Sequence, residues 1–443
     1  MRIFLLIWLG QLVSLIGSDL TSFALGVWAY KTTGSVTQFA LISLFIYLPN
    51  IIISPIAGTL VDRWNRRWAM ILSDSVAGVG TLVVLSLIML DRLEIWHIYI
   101  AVAISSIFNG FHWPAYAAAT TQLVPKQHLN RANSLVQIAK AMAKIISPTV
   151  AGILIRYIDI DGILIVDFIT FLFGLVTLLS VRFPQLQQPS QQKMDWGQLW
   201  RETLSGWDYI ISRPGLRVLL NFTAITYFTL GILQVVFWPL VLNFGSSEEL
   251  GLILSISGCG MLLGSLFMSF WGGPKRRIYV ILVFVALQGL LLCLGGLQAS
   301  VKLAALGAFG YLFAYPIIVS CNQTIWQRKV PMELQGRVFA GQQMVERSLS
   351  IFAYLVAGPL VDQILEPMLA PGGLLANSIG QIIGVGPGRG IGLLFILVGI
   401  LNIVATLFAY QEPRLRRLEV ELPDAIGEDP QEQPGSYQQN AFS

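Results

Sequence analysis

Twelve long apolar runs, each roughly 20 to 30 residues, limit what this chain can fold into. A helix needs about 20 apolar residues to cross the hydrocarbon core of a bilayer. In lipid the backbone must satisfy its own hydrogen bonds, and the strands of a membrane barrel would be about half as long. We therefore predict an all-α integral membrane protein. Its twelve transmembrane helices, called spans 1 to 12, are expected at residues 5–30, 36–61, 68–90, 95–120, 132–156, 160–181, 216–243, 250–271, 278–298, 301–326, 336–365 and 388–410.

The placement of the few charged residues predicts the orientation of the spans. Only 12% of the 443 residues are charged, about half the share in a soluble domain. Of the 28 Lys and Arg residues, 20 lie at one set of span ends and five at the other, the five being Lys31, Arg92, Arg156, Lys302 and Arg389. Cytoplasmic loops of membrane proteins collect Lys and Arg, so the majority side is predicted to be cytoplasmic. Both termini then lie in the cytoplasm, and the protein is a multi-pass protein of the inner membrane.

An internal repeat divides the chain into two halves. Five residues of the first half recur 206 positions later, and the pairs are Val124 and Val330, Pro125 and Pro331, Arg131 and Arg337, Ala151 and Ala357, and Gly152 and Gly358. Parallel repeats with a substrate site between them at the bilayer midplane are a transporter architecture. We predict a six-span half at 1–181, a cytoplasmic linker with an amphipathic helix at 182–215, a second six-span half at 216–410 and a disordered cytoplasmic tail at 411–443.

The cysteine and histidine residues give no sign of a catalytic or metal site. Cys259, Cys293 and Cys321 lie inside apolar runs, and the three histidines are scattered. The sequence holds no Cys-x-x-Cys pair, phosphate-binding loop or nucleophile–base arrangement. We therefore expect no cofactor, no metal, no nucleic-acid partner and no enzymatic activity, and transport that is not driven by ATP hydrolysis in this chain.

The loop between spans 2 and 3 carries a dense charge cluster, Gly58-x-x-x-Asp62-Arg63-x-x-Arg66-Arg67. This pattern resembles the signature loop of the major facilitator superfamily. Trp8-Leu9-Gly10-Gln11, Thr33-Gly34-Ser35 and Trp113-Pro114-Ala115 resemble the branch that contains macrolide-efflux and siderophore-exporter proteins. The resemblance implies the major facilitator fold, alternating access by two rocking halves, and coupling to an ion gradient. Span 4 departs from it, because Ser105, Asn109 and Gly110 lie there in place of the arginine of many proton-linked antiporters.

The same loop is the predicted cytoplasmic gate, formed by Gly58, Asp62, Arg63, Arg66 and Arg67. The resemblance places Asp62 against the start of span 11, near residues 335–337, where a helix N-terminus carries partial positive charge. Such a contact closes the cytoplasmic side and breaks when that side opens. The three arginines can pair with acids or with anionic lipid headgroups, although the orientation rule alone also accounts for Arg67.

Charges within the spans are the candidates for ion coupling, since a charge inside the membrane is costly. They are Asp19 in span 1, Lys140 and Lys144 in span 5, Asp167 in span 6, and Glu346 and Arg347 in span 11. Lys140 and Lys144 are four residues apart and share one helix face. We expect one of these lysines to pair with Asp19, Asp167 or Glu346. The pair is either a structural ion pair or a state-dependent one whose acid takes up a proton.

Two further groups of residues complete the predicted site. In span 5, Pro148, Ala151 and Gly152 are similar to the exporter signature Gly-Pro-x-x-Gly-Gly, and small residues there also allow close helix packing. A cavity for a bulky amphiphile needs apolar walls with few polar anchors. The candidates by position are Asn109, Trp113, Tyr116, Tyr227, Gln234, Trp238, Asn322 and Gln323. Each of them could instead face lipid or pack between helices.

These features predict a monomeric secondary transporter that exports hydrophobic or amphipathic small molecules by proton antiport. Its partners are the small-molecule substrate, the proton and the lipid bilayer. The alternatives are an exporter of a siderophore or another secondary metabolite, an importer of the same architecture, and a non-transporting membrane receptor or scaffold. The charges inside the spans favour transport, because a scaffold has no need of Asp19, Lys140 and Glu346 within the bilayer.

Overall fold

The computed structural model describes residues 2–63, 66–124, 129–181, 207–271 and 276–424, with only the backbone described at 2, 54–63, 114, 117–118, 121–122, 129–131, 133–134, 137, 332–333, 335–337 and 340. These residues are helical almost throughout, and no β-strand occurs among them. The helices of the spans are Arg2–Thr33, Val36–Arg63, Arg66–Met89, Ile95–Leu123, Leu129–Ser180, Pro214–Phe244, Ser247–Trp271, Arg277–Leu297, Val301–Lys329, Met332–Pro359 and Arg389–Gln411. Span 11 continues beyond Pro359 as a π-helix, Leu360–Leu365, and then as a short α-helix, Glu366–Leu369.

The predicted twelve-span arrangement is confirmed. Eleven of the described helices are long and apolar enough to cross a membrane, because spans 5 and 6 share the one segment Leu129–Ser180. Asp159 interrupts that segment with φ of 53° and ψ of −169°, which are not helical angles. The interruption falls where the sequence places the turn between spans 5 and 6, and so the segment supplies two spans.

The buried apolar side chains join the two halves at one end of the bundle. This end carries residues 33–36, 156–161 and 366–388, and we call it the predicted external end; the end that carries residues 2 and 411 is the predicted cytoplasmic end. The largest core cluster includes Phe23 and Val36 of the first half and Val236 and Ala357 of the second. Separate clusters lie within single halves, one around Met70 and one around Trp326.

Residues 412–424 differ from the prediction of a disordered tail that begins at residue 411. They form two short helices, Pro413–Arg416 and Leu418–Glu421, and the side chains of Leu415 and Leu418 are buried in the core of the second half. Lys329 Nζ lies 2.9 Å from Asp424 Oδ1 and donates a hydrogen bond of 2.8 Å to the Glu419 carbonyl. Apolar burial and these polar contacts hold the segment, whereas composition averaged over the whole tail hides them. Residues 425–443 lie outside the described part of the chain.

The predicted linker is described at residues 207–215. Residues 207–211 are helical, and Tyr209 donates a hydrogen bond of 2.7 Å from its hydroxyl to the Lys329 carbonyl. This end of the linker is therefore attached to the second half. The remainder of the predicted amphipathic helix, at 182–206, lies outside the described residues.

Candidate functional site

An ion pair lies between spans 1 and 5, near the middle of both. Lys144 Nζ is 3.7 Å from Asp19 Oδ1, and the two side chains are 78% and 21% exposed. An ammonium group at this depth would be costly in lipid, so it faces an aqueous space within the bundle. The sequence left three acids open as partners of the span-5 lysines, and the structure pairs Lys144 with Asp19. We infer from the exposure of Lys144 that this pair lines a water-accessible cavity.

Lys140, one helical turn before Lys144, contacts an aromatic residue rather than an acid. Its Nζ lies 3.4 Å from the centre of the Trp113 ring in span 4. The negative face of an indole ring attracts a cation at this distance. Tyr116 packs beside Trp113, with ring centres 6.0 Å apart. Two of the predicted cavity residues and one predicted coupling charge therefore form one aromatic wall with a positive charge on it.

A polar cluster beside this wall was missed by the sequence reasoning. His112 Nε2 lies 3.2 Å from Asp74 Oδ1, and Gln11 donates a hydrogen bond of 3.0 Å to the other oxygen of the same carboxylate. These residues come from spans 4, 3 and 1. The three histidines look scattered along the chain, and only the packing of these spans brings His112 to an acid.

Asp167 is buried among hydroxyl groups. Thr81 of span 3 and Ser18 of span 1 donate hydrogen bonds of 2.9 and 3.3 Å to its two carboxylate oxygens. A hydroxyl can rotate to donate or to accept a hydrogen bond. This pocket can therefore accommodate the carboxyl group both with and without a proton.

Glu346 is buried in the second half, on the span-7 side of span 11. Gln342 donates a hydrogen bond of 3.0 Å to its carboxylate, and Thr223 of span 7 donates one of 3.4 Å. Tyr227 also lies beside it. The repeat makes Glu346 equivalent to Lys140, yet the two have unlike surroundings. Arg347, the neighbouring candidate, is exposed.

A small cavity with both polar and apolar lining lies within the second half, between spans 7, 9 and 10. Its volume is about 20 Å³, and its lining includes Thr223, Thr226, Tyr227, Gln288, Tyr315 and Asn322. A cavity of this size holds about one water molecule. It brings together two of the predicted cavity residues, Tyr227 and Asn322, but it is too small to hold a drug-sized substrate.

The other predicted cavity residues have separate surroundings. Gln234 accepts a hydrogen bond of 2.7 Å from the Tyr354 hydroxyl, and Tyr354 stacks on Tyr47 of the first half at 5.4 Å. Trp238 packs against Phe23 and Phe39 with ring centres 5.2 and 5.7 Å apart, so it is a packing residue between the halves. Asn109 is exposed and Gln323 is half-buried.

Two repeat-related glycines bring the halves into backbone contact at the predicted external end. A Cβ atom on Gly152 of span 5 would lie 2.7 Å from the Ser247 carbonyl oxygen at the start of span 8. A Cβ atom on Gly358 of span 11 would lie 2.4 Å from Thr37 Cα at the start of span 2. Residues without a side chain are needed where backbones approach this closely. We call these two contacts the external closure.

Pro148 and Ala151 lie on the same contact between spans 5 and 8 or beside it. A Cβ atom on Gly251 would lie 2.2 Å from the Pro148 carbonyl oxygen, and Ala151 is fully buried. The small residues of the span-5 signature therefore pack at the external closure, where spans 5 and 8 meet.

The predicted cytoplasmic gate falls largely outside the described side chains. The helix of span 2 ends at Arg63, but the side chains of Gly58, Asp62 and Arg63 and of residues 335–337 are not described. Arg67 donates hydrogen bonds of 3.0 and 2.7 Å to the carbonyls of Leu178 and Leu179, at the end of span 6. Arg67 therefore caps a helix C-terminus, where a cation is favourable.

The sequence model of the protein family Major Facilitator Superfamily matches residues 7–354 of this chain, which is most of its length. The chain belongs to the major facilitator superfamily. It is therefore a multi-pass membrane transporter of small molecules and not an enzyme. The resemblance noted in the loop after span 2 and in the flanking motifs is confirmed.

Members of this superfamily with assigned roles cover most of the chain. Macrolide efflux protein A of Streptococcus pyogenes is 28% identical over 76% of this chain and 84% of its own length. The multidrug efflux pump Tap of Mycolicibacterium fortuitum is 22% identical over 81% of this chain and 89% of its own length. The enterobactin exporter EntS of Shigella flexneri is 21% identical over 75% of this chain and 78% of its own length.

Solved structures of the superfamily share the fold. A bacterial homologue of the human lysosomal transporter Spinster, in an inward-facing and unoccupied conformation, has a TM-score of 0.69 at 13% identity and covers 94% of this chain and 98% of its own. The nucleoside transporter NupG has a TM-score of 0.68 at 13% identity, with coverages of 93% and 100%. At this identity the likeness concerns the fold alone.

Proposed function

We propose that this superfamily member is a proton-coupled exporter of hydrophobic or amphipathic small molecules. It works as a monomer in the inner membrane, with both termini in the cytoplasm. The observation that carries the proposal is the Asp19–Lys144 pair, an exposed ammonium and a less exposed carboxylate in the middle of the bundle. Groups that both titrate and face a cavity at this depth are suited to carry protons.

A proton on Asp19 removes the attraction that holds Lys144. Two unit charges about 4 Å apart attract each other by about 1 kcal/mol in water and about 4 kcal/mol in a polar protein environment. The high exposure of Lys144 places this pair closer to the lower figure. A difference of this size can be reversed in each transport cycle. Substrate and proton then alternate at the cavity wall, which is the requirement for antiport.

The relatives favour an efflux substrate of the macrolide type, since the macrolide efflux protein is 28% identical to this chain. One observation favours a second candidate, an aromatic and anionic metabolite such as a siderophore. Lys140 over Trp113, with Tyr116 beside it, offers a positive charge and a stacking surface together. Such a wall suits an aromatic anion better than a cationic drug.

Transport in proteoliposomes under an imposed pH gradient tests the coupling. We expect the wild-type protein to accumulate a radiolabelled macrolide when the compartment that receives it is acidic, and to lose this drive when the gradient is collapsed. Asp19→Asn should retain substrate binding but lose accumulation driven by the gradient. Asp161→Asn is the matched control, because Asp161 is exposed at the predicted external end of the bundle, beside the turn between spans 5 and 6.

Competition separates the two substrate classes in the same vesicles. A catecholate competitor that displaces the macrolide weakly, and is itself not accumulated, favours the macrolide type; strong displacement with accumulation of the catecholate favours the aromatic anion. If Asp19→Asn accumulates substrate with the wild-type dependence on pH, the assignment of Asp19 as the proton carrier is wrong.

A further inference from the structure

The N-terminus of span 2 is capped by an acid from the opposite half of the protein. Asp362, in the π-helical end of span 11, accepts hydrogen bonds from the Ser35 hydroxyl at 2.7 Å and from the backbone N–H groups of Val36 and Thr37 at 3.1 and 2.8 Å. The first N–H groups of a helix have no partner within that helix. A carboxylate there also meets the positive end of the helix dipole. Span 2 therefore takes its cap from a residue more than 300 positions away.

The local structure of span 11 delivers Asp362 to this position. Pro359 ends the regular helix Met332–Pro359, and the following six residues, Leu360–Leu365, are π-helical. π-helical turns are rare and are frequent at functional sites. Gly358, one turn earlier, lets span 11 approach Thr37 closely enough for the carboxylate to reach the helix end.

The repeat supplies an internal comparison for this contact. A shift of 206 residues places Arg156 of span 5 at the position equivalent to Asp362. Arg156 Nη1 lies 3.2 Å from Glu248 in the first turn of span 8, but these side chains are 68% and 34% exposed. An exposed ion pair contributes about 0 to 1 kcal/mol. Asp362 makes three hydrogen bonds to one helix end, so the two contacts differ in strength.

The hydroxyl group of Thr37 disfavours the closed state of the external closure. Thr37 Oγ1 is buried against Gly358, and it makes no hydrogen bond to any described residue. A buried hydroxyl without a partner is unfavourable, whereas the same group is hydrated when the halves separate. The Asp362 cap and this hydroxyl act in opposite directions, which is the condition for an end that opens as well as closes.

We propose that Asp362 is the releasable latch of the external closure and that it sets the ratio of closed to open states at this end. The proposal rests on alternating access, as the proposed function does, but not on the proton or on the substrate. Asp362 acts by positioning span 2 against span 11 and touches no substrate. Each transport cycle must break its three hydrogen bonds.

The reactivity of a cysteine at position 37 measures how often the closure opens. The full-length protein, with its three native cysteines replaced, carries Thr37→Cys and is purified in detergent, so that the predicted orientation does not enter the result. A hydrophilic maleimide reacts with this thiol when the closure is open, and its rate follows the open population even where that population is small. We expect Asp362→Ala to raise the rate about 5- to 30-fold, the range expected for loss of a strong helix cap.

Graded variants separate a latch from a general loss of stability. Ser35→Ala, which removes one hydrogen bond, should give a smaller increase, and Asp362→Asn, which keeps a capping oxygen, should lie between wild type and Asp362→Ala. Glu248→Gln is the matched control on the weaker, repeat-related contact, and it should change the rate less than fivefold.

Equal rates in the wild type, Ser35→Ala and Asp362→Ala would overturn the latch. So would an increase in Glu248→Gln as large as that in Asp362→Ala. A failure of the proposed function is distinguishable, because macrolide transport can be absent while these rates still follow the predicted order. If Asp362→Ala does not fold, Ser35→Ala and Asp362→Asn decide the question.

Discussion

The substitution Gly358→Ala should weaken the external closure through one methyl group. The added Cβ would lie 2.4 Å from Thr37 Cα and 2.9 Å from Thr37 N, and both are backbone atoms that no side-chain rotation can move away. Ordinary contacts begin at about 3.4 Å, so spans 2 and 11 must separate by about 1 Å. Overpacking of this kind costs about 1 to 3 kcal/mol. The ratio of closed to open states should therefore fall about 5- to 150-fold.

The rate of maleimide labelling at Val36→Cys, a buried position beside this contact, is the assay. Gly307→Ala in span 10 is the matched control, because its added Cβ would have its nearest neighbour at 3.7 Å, an ordinary contact distance. Gly358→Ala should label at least five times faster than Gly307→Ala and should show reduced efflux, since the closed state becomes rarer. Labelling of Gly358→Ala within twofold of Gly307→Ala would refute the argument that backbone contact at Gly358 closes this end.

Two further predictions concern buried or partly buried acids. Asp167→Ala should destabilise the protein by about 1 to 3 kcal/mol, because it removes the side-chain acceptor of Ser18 and one of the two acceptors of Thr81, whereas Asp167→Asn should cost less; thermal unfolding in detergent measures both, and equal midpoints would contradict the hydrogen-bonded role. Partial burial would raise the pKa of Asp424, but the hydrogen bonds and charges of Lys329 and Arg328 outweigh burial and hold that pKa below its usual range. The stability that Asp424 gives to residues 412–424 is then fully present above the unfolded pKa of about 3.9 and is lost as pH falls through the lower folded value. The protection of these amides against hydrogen exchange, measured relative to the intrinsic exchange rate at each pH, should fall at acid pH in the wild type and should already be low at neutral pH in Asp424→Asn; protection that does not depend on pH in the wild type would contradict this.

The sequence alone determined the fold class of this protein and its membership of the major facilitator superfamily. Run length fixes helices in a bilayer, because lipid leaves the backbone no other partner for its hydrogen bonds. The sequence also identifies the charged residues within the spans, because a charge inside an apolar run stands out whatever its partner is. These residues are Asp19, Lys140, Lys144, Asp167 and Glu346. The repeat even marked Gly152 and Gly358 as equivalent positions before any contact of theirs was known.

Only the tertiary structure decided which of these groups meet. The distances from Lys144 to Asp19 and from Lys140 to Trp113 depend on how the spans rotate and pack, and periodicity within one span carries no information on that. Asp362 shows the limit most clearly. In the sequence it is an ordinary acid near the end of a long apolar run, and its partner is the backbone of residues 36 and 37 in the other half. Almost every residue has a backbone N–H group, so the pattern of side chains in the sequence does not identify which helix end an acid will cap.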